Sequence, residues 1–357
     1  MSPEKMEESF HLSLEAIQVL QNALETSYLD AYIETIENFI DQYRVRVIDG
    51  VPSEADAQRL EAIYKKLEQI PLTAEERRKL AQLLLLKGGQ TEHLQPNHQL
   101  TPDSIGFLFV YLIEQLTPAK QQTKILDLSV GMGNLVLTLL LNLQLAQRDV
   151  QATGVDIDET LLSVAAATSE WTQAPLHLFH QDGLQELLID PMDIAVSDLP
   201  VGYYPQDEKA ASFLTSAPEG EGHSFAHHLL MEQAMNYVKE DGYGLFLAPA
   251  NFMETEQSDY LKKWLNEKVY LQGIIQLPDE LFKNERSRKS IVLIQNHGAT
   301  SKQAPVLLAK LASLKEPKNI KKFFEQFEAW KASNLNINRI RRKLCLKQLQ
   351  SMLEVQV

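Results

Sequence analysis

Apolar residues recur every three to four positions through residues 5–90. Phe10, Leu14, Ile17 and Leu20–Leu24 keep this rhythm, and so do Leu60, Ile63, Tyr64 and Leu67. That period predicts amphipathic helices. Asp49-Gly-Val-Pro52 divides the region into halves, and Thr73 followed by Glu76 after Pro71 has the form of a capped helix start. Four or five helices should therefore form an all-α bundle over residues 1–90. Its faces gather no catalytic constellation, so a dimerisation or partner-binding role is expected. A polar linker at 88–100 precedes a helix over 103–116. Beyond it the period changes. Short apolar runs at 124–128, 149–157, 175–183, 192–200, 243–248, 270–277 and 290–296 alternate with helical segments. This alternation predicts an α/β core, residues 91–300, with a parallel sheet and right-handed crossovers. Residues 205–223, rich in Pro, Gly, Glu and Ser, should form a mobile loop suited to a substrate lid. Residues 301–357 complete the chain as a basic, mostly helical extension, helical over 320–353 with a break near Asn334–Asn338.

Composition narrows the class. With 357 residues and 44% hydrophobic content the chain can bury one large core or two modest ones. A single cysteine, Cys345, excludes an internal disulfide and fits a reducing cytoplasm. No His/Cys pattern suggests a metal site. The acidic N-terminus has no apolar core of a signal peptide, and the apolar run Leu135–Leu141 is too short to span a bilayer. The net charge of −14 argues against simple nucleic-acid binding, but the charge is unevenly spread. Residues 302–357 carry 12 Lys and Arg against 4 Asp and Glu, and residues 1–301 carry 22 against 44. Such an asymmetry fits a polyanion-binding tail, or a helix whose basic face docks on the acidic body. Arg339, Arg341, Arg342 and Lys343 are the tail's best phosphate contacts. Lys283, Arg286, Arg288 and Lys289 form a second basic group near the expected active edge.

The candidate chemistry lies at the strand ends. Lys124-Ile-Leu-Asp-Leu-Ser-Val-Gly-Met-Gly-Asn134 reads as a buried strand, a Gly-X-Gly turn and a helix start. This arrangement brings backbone N–H groups to a ligand. The third glycine of a dinucleotide fingerprint is replaced by Val136, and Asp127 would repel a pyrophosphate but welcome an ammonium group. Asp156 closes the second strand 23 residues after Gly133, near the offset of an acid that grips ribose hydroxyls. Gln181-Asp182-Gly183 closes the third, and Asp198-Leu199-Pro200 the fourth. One such acid is often a helix N-cap, and Asp182 keeps that alternative. Four in register point to a binding edge.

In this order the motifs resemble those of class I S-adenosylmethionine-dependent methyltransferases. The likeness is greatest to the N6-adenine branch related to the modification subunits of type I restriction systems, including a small bacterial group with a helical N-terminal domain. It covers roughly residues 95–297. Asp127-Leu-Ser-Val-Gly-Met-Gly-Asn134 resembles the family's Asp-Pro-X-X-Gly-X-Gly-Asn, Gly154-Val-Asp156 its ribose-binding acid, and Gln181-Asp182-Gly183 the acid that meets the cofactor's adenine. Asp198-Leu-Pro-Val201 resembles Asn/Asp-Pro-Pro-Tyr/Phe, and His98-Gln-Leu-Thr-Pro102 the segment laid over the cofactor's methionine end.

The resemblance implies a Rossmann-like seven-stranded methyltransferase sheet, the last strand antiparallel, beside the all-α N-terminal domain. It implies S-adenosylmethionine as cofactor, held by Thr101, Asp127, Gly131, Gly133, Asn134, Asp156, Ile157, Asp182 and Gly183. The implied reaction is methyl transfer to the exocyclic N6 amine of adenine in nucleic acid, DNA before RNA, in the cytoplasm and with no membrane involved. Asp198 and the carbonyl of Leu199, followed by Pro200, would accept the amine hydrogens. Leu199 stands where the family has its first proline, and Val201 where it has its aromatic ring; Tyr203 or Tyr204 would supply the ring instead. A protein-amide methyltransferase and a non-catalytic cofactor-binding or regulatory protein stay open as alternatives. About sixty residues follow the core, so either another subunit supplies target specificity, the substrate is not duplex DNA, or the N-terminal bundle does the reading; that bundle would also serve a homodimer or a specificity partner. His223, His227 and His228 read as solvated loop and helix residues.

Overall fold

The computed structural model describes residues 2–91, 98–218, 220 and 222–335. Four N-terminal helices come first: α1 (Pro3–Leu24), α2 (Tyr28–Ile40), α3 (Glu54–Glu68) and α4 (Ala74–Thr91). Each start is capped locally. Ser2, Ser27 and Ser53 accept from the backbone N–H three residues on. At α4, Thr73 Oγ1 accepts from Glu76 N at 3.3 Å while the Glu76 carboxylate accepts from Thr73 N at 2.8 Å. This is a reciprocal capping box.

The α/β core comprises α5 (Asp103–Leu116), β1 (Thr123–Asp127), α6 (Asn134–Leu145), β2 (Val150–Asp156), α7 (Glu159–Thr172), β3 (Leu176–His180), β4 (Met192–Asp198), the single turn α8 (Asp207–Ala210), α9 (Ala226–Asn236), β5 (Val238–Pro249), α10 (Ser258–Glu267), β6 (Val269–Gln276) and β7 (Lys289–Asn296). β8 (Leu307–Lys310) and α11 (Pro317–Asn334) follow. The sheet order is β3-β2-β1-β4-β5-β7-β6-β8. β7 alone runs antiparallel to its neighbours. The expectation of seven strands is one short, because Leu307–Lys310 adds parallel to β6. Its inward residues Leu307 and Ala309 are buried and its outward Leu308 is exposed, an alternation only four residues long.

The order reverses between β1 and β4. In open α/β sheets this crevice outside the carboxyl ends of the strands is where ligands bind. The central strands are buried on both faces and read as nearly continuous apolar runs. One face is covered by α5, α6 and α11, the other by α9 and α10. α11 docks mainly by a phenylalanine stripe, with one charge, Lys331, buried at the junction and donating to the side chain and carbonyl of Gln115 on α5. Phe323, Phe324 and Phe327 are buried, and Phe324 stacks on Tyr111 of α5 with centroids 3.7 Å apart. Each such side chain contributes about 1.5–3 kcal/mol by burial. α11 ends at Asn334 with Leu335 extended, at the start of the break expected near Asn334–Asn338; residues beyond 335, including the cluster Arg339, Arg341, Arg342 and Lys343, lie outside the described residues.

The N-terminal helices share a core with the sheet domain. Leu161, Val164, Ala167 and Trp171 of α7, together with Met132 of the glycine loop, pack among residues of α1–α4. Polar ties reinforce the junction. Tyr32 and Thr168 hydroxyls pair at 2.8 Å, and Arg77 donates to the Trp171 carbonyl at 2.8 Å. Arg78, 1% exposed, grips Asp103 at the start of α5 through two bonds of 3.0 and 2.8 Å and also donates to Thr138 of α6. Among the described residues no helix is long and apolar enough to cross a membrane.

Candidate active site

Asp127 ends β1 with its side chain buried. One of its oxygens accepts from Ser197 Oγ on β4 at 2.7 Å and from Ser129 N at 3.1 Å. Burial pushes its pKa up to about 7, against these two hydrogen bonds and with help from the nearby charges of Asp156 and Asp198. Asp127 is thus an acid that a cationic ligand would ionise.

The loop after β1 turns through Gly131 (φ +52°) and Gly133 (φ +79°), conformations disfavoured for residues with a side chain. A Cβ on Gly131 would meet nothing within 4 Å, so that side of the loop is open to a ligand. A Cβ on Gly133 would press within 3.1 Å of Ala165, which fixes how closely α6 can approach α7. Asn134, the first residue of α6, turns back and donates to the Thr101 carbonyl at 2.6 Å.

Asp156, at the end of β2, accepts from Gly131 N at 2.7 Å with one oxygen and from Asp158 N at 3.0 Å with the other. It therefore braces the glycine loop as well as facing the crevice. Ile157 beside it is exposed, an apolar surface at the crevice mouth. Asp182 is buried; it accepts from Leu184 N at 3.0 Å and from Tyr204 Oη at 2.6 Å. No helix follows Asp182, so it caps a turn rather than a helix. Gly183 lies close under Leu128, where a Cβ would fall 2.7 Å from the Leu128 carbonyl oxygen.

Asp198 closes β4. Thr101 Oγ1 donates to its Oδ2 at 2.8 Å. Its Oδ1 accepts from Lys289 Nζ, which also reaches the Leu199 carbonyl at 3.4 Å. Leu199 is buried; its N–H donates to the Leu247 carbonyl, and its own carbonyl is directed at Lys289 Nζ. The two expected aromatic residues divide. Tyr204 is buried, and burial with the Asp182 carboxylate raises its pKa, so it donates to Asp182. Tyr203 is exposed and stacks on Phe225, centroids 4.8 Å apart and 16° between planes.

The histidine expectation fails in part. His223 is exposed and pairs with Asp207 at 2.9 Å. His227 and His228 are buried, not solvated. Burial lowers their pKa to about 3 and about 4; for His227, the neighbouring His228 and Lys289 lower it further. Both are uncharged at neutral pH. Sequence reasoning passed over Lys289 as a site residue. The available signal was its position at the start of an antiparallel strand, whose first residue must lie at the edge where the parallel strands end.

Comparison with known proteins gives the family and the fold. Residues 7–89 match a YtxK N-terminal helical domain, and residues 89–340 match the N-6 DNA Methylase family. The chain is 38% identical over 327 residues to the uncharacterized protein YtxK of Bacillus subtilis (strain 168), covering 90% of this chain and 96% of that protein. A crystal structure from Listeria monocytogenes, named as a candidate class I S-adenosylmethionine-dependent methyltransferase, superimposes with a TM-score of 0.84 at 40% identity, covering 92% of this chain and 99% of that one. A type I restriction-modification methyltransferase subunit from Streptococcus thermophilus shares the fold alone, with a TM-score of 0.63 at 14% identity, over 90% of this chain and 74% of that one. With two thirds of its length matched by the family model and a YtxK-type helical domain ahead of it, the chain belongs to the N-6 DNA methylase family.

Proposed function

We propose that the protein is an S-adenosylmethionine-dependent methyltransferase acting on an exocyclic amine, the N6 amine of adenine in DNA. The observation that carries this reading is the convergence of the Asp198 carboxylate and the Leu199 carbonyl on one nitrogen, Lys289 Nζ. A pair of acceptors aimed at one nitrogen is what an exocyclic amine requires. Its lone pair is delocalised into the ring, and holding both hydrogens returns electron density to nitrogen and orients it for attack.

The residues around the crevice fit the cofactor. Asp127 is suited to its ammonium group, and the open side of Gly131 to close approach of its amino-acid end. Asp156, with Ile157 beside it, suits the ribose, and Asp182 with Gly183 the adenine amine. Thr101 and Asn134 line the approach to the reacting end. When bound, S-adenosylmethionine supplies an electrophilic methyl group on a sulfonium centre. Tyr203, backed by Phe225, offers an exposed aromatic face three residues beyond Pro200, in place of the ring that Val201 lacks. Base stacking on such a face is worth about 1–3 kcal/mol. The N-terminal helices would bind a second copy or a specificity partner, and the basic C-terminal residues the phosphate backbone, in the cytoplasm.

Titration calorimetry with S-adenosylmethionine, followed by transfer of labelled methyl to adenine-unmethylated DNA, RNA and protein fractions, tests the proposal. Label recovered as N6-methyladenine supports it. Label in protein alone overturns the nucleic-acid assignment, and absence of cofactor binding overturns the whole reading.

A further inference from the structure

Lys289 is the first residue of β7 and pairs in register with Pro249, the last residue of β5. The antiparallel course of β7 thus delivers a lysine to the crevice edge. Its side chain and that of Asp198 are each 22% exposed, so the pair is largely withdrawn from water. Nζ donates to Asp198 Oδ1 and to the Leu199 carbonyl, and Thr101 takes Asp198 Oδ2. Both acceptors that would hold a target amine are therefore committed to the chain's own amine. Close by, neither buried ring nitrogen of His227 has a hydrogen-bond partner, so this ring is paired with neither Asp198 nor Lys289.

A lysine ammonium and a target aryl amine present similar donors but different charge. Methyl transfer requires the reactive carbon to approach a nitrogen lying where Nζ now lies. The sulfonium would then sit a few ångströms from the ammonium, two cations drawing on one carboxylate. An aryl amine is neutral and brings no such conflict.

We infer that Lys289 is a specificity-determining occupant of the amine seat: it holds Asp198 and the Leu199 carbonyl until a neutral target amine displaces it, and while seated it turns the site against the sulfonium cofactor and toward the neutral thioether product. This rests on the methyl-transfer reading above.

The test is titration calorimetry of the full chain with S-adenosylmethionine and with S-adenosylhomocysteine, for wild type, Lys289→Met, Lys289→Arg and Asp198→Asn. Lys289→Met should bind S-adenosylmethionine about tenfold tighter, the scale of unit charges a few ångströms apart in a partly solvated site, with S-adenosylhomocysteine changed by less than about twofold. Lys289→Arg, which keeps the charge, should retain the wild-type ratio. Asp198→Asn, which leaves the ammonium unpaired, should shift the ratio the opposite way, and the double variant Asp198→Asn/Lys289→Met should return toward wild type. Unchanged affinity for the thioether certifies a folded site in each variant. If the two ligands move together, or neither moves, Lys289 does not face the sulfonium and the inference falls. If wild type binds neither ligand, the cofactor reading falls instead.

Discussion

Thr101 Oγ1 donates to Asp198 Oδ2 at 2.8 Å across 97 positions of sequence. The bond ties the segment before α5 to the end of β4, and the Thr101 carbonyl is held in turn by Asn134. Asp198 thereby keeps one oxygen fixed and presents the other, Oδ1, to the nitrogen of Lys289. Thr101→Val should lower the rate of methyl transfer about tenfold or more, with cofactor affinity changed by less than about threefold. The loss is one hydrogen bond to a charged group, roughly 1.5–3 kcal/mol. Single-turnover rates beside calorimetric affinities separate the two effects, and an unchanged rate would remove Thr101 from the positioning of Asp198.

Asp156 bonds the Gly131 N–H and faces the crevice as well. Asp156→Ala should therefore weaken S-adenosylmethionine at least about tenfold, since charge-assisted bonds are worth roughly 1.5–3 kcal/mol each. Asp156→Asn, which can still accept from Gly131, should lose less. Equal affinity of all three proteins by calorimetry would refute the assignment.

The raised pKa of Asp127, about 7, gives a pH dependence of defined sign. Between the ordinary carboxylate value and pH 7 the folded protein binds a proton that the unfolded chain has released. Stability should therefore fall as pH rises through this window. Binding of an ammonium-bearing ligand favours the ionised form, so affinity should rise from pH 6 to pH 8. Below pH 7, binding should release a proton, seen as a binding enthalpy that varies with the ionisation heat of the buffer. Asp127→Asn should abolish that variation.

Arg78 is buried, with Asp103 and Glu75 as its carboxylate partners. Arg78→Ala leaves two carboxylates without their cation and should destabilise the protein by about 3–5 kcal/mol. Arg78→Met/Asp103→Leu, which removes both charges of the central pair, should recover part of that loss in denaturant titrations. No recovery would mean that Arg78 serves by packing alone.

The parts legible in the sequence are those governed by local physics. The capping box at Thr73 and Glu76 and the boundaries of α5 follow from chain neighbours within one turn. So do β1, β2 and β4, each a buried run closed by an acid. Asp127, Asp156, Asp182 and Asp198 reach one edge because parallel strands share a direction. What was not legible depends on partners far along the chain. β8 is four residues long, too short for a period to declare itself. His227 and His228 look solvated until α9 is laid against the sheet. Lys289 reads as one more basic loop residue until the order β5-β7-β6 carries it to Asp198. The N-terminal helices look self-contained because their periodicity cannot reveal that α7 completes their core.

Met132 lies between the two glycines of the crevice loop, yet its side chain is buried among the N-terminal helices. The loop's floor thus belongs to one module and its rim to the other. A ligand that shifted Gly131 and Gly133 would shift Met132 against the helices. By thermodynamic reciprocity, a partner that grips those helices better when the loop is ordered must raise the ligand's affinity by the same factor. The helical module is in this sense a handle on the crevice, reached from the opposite side.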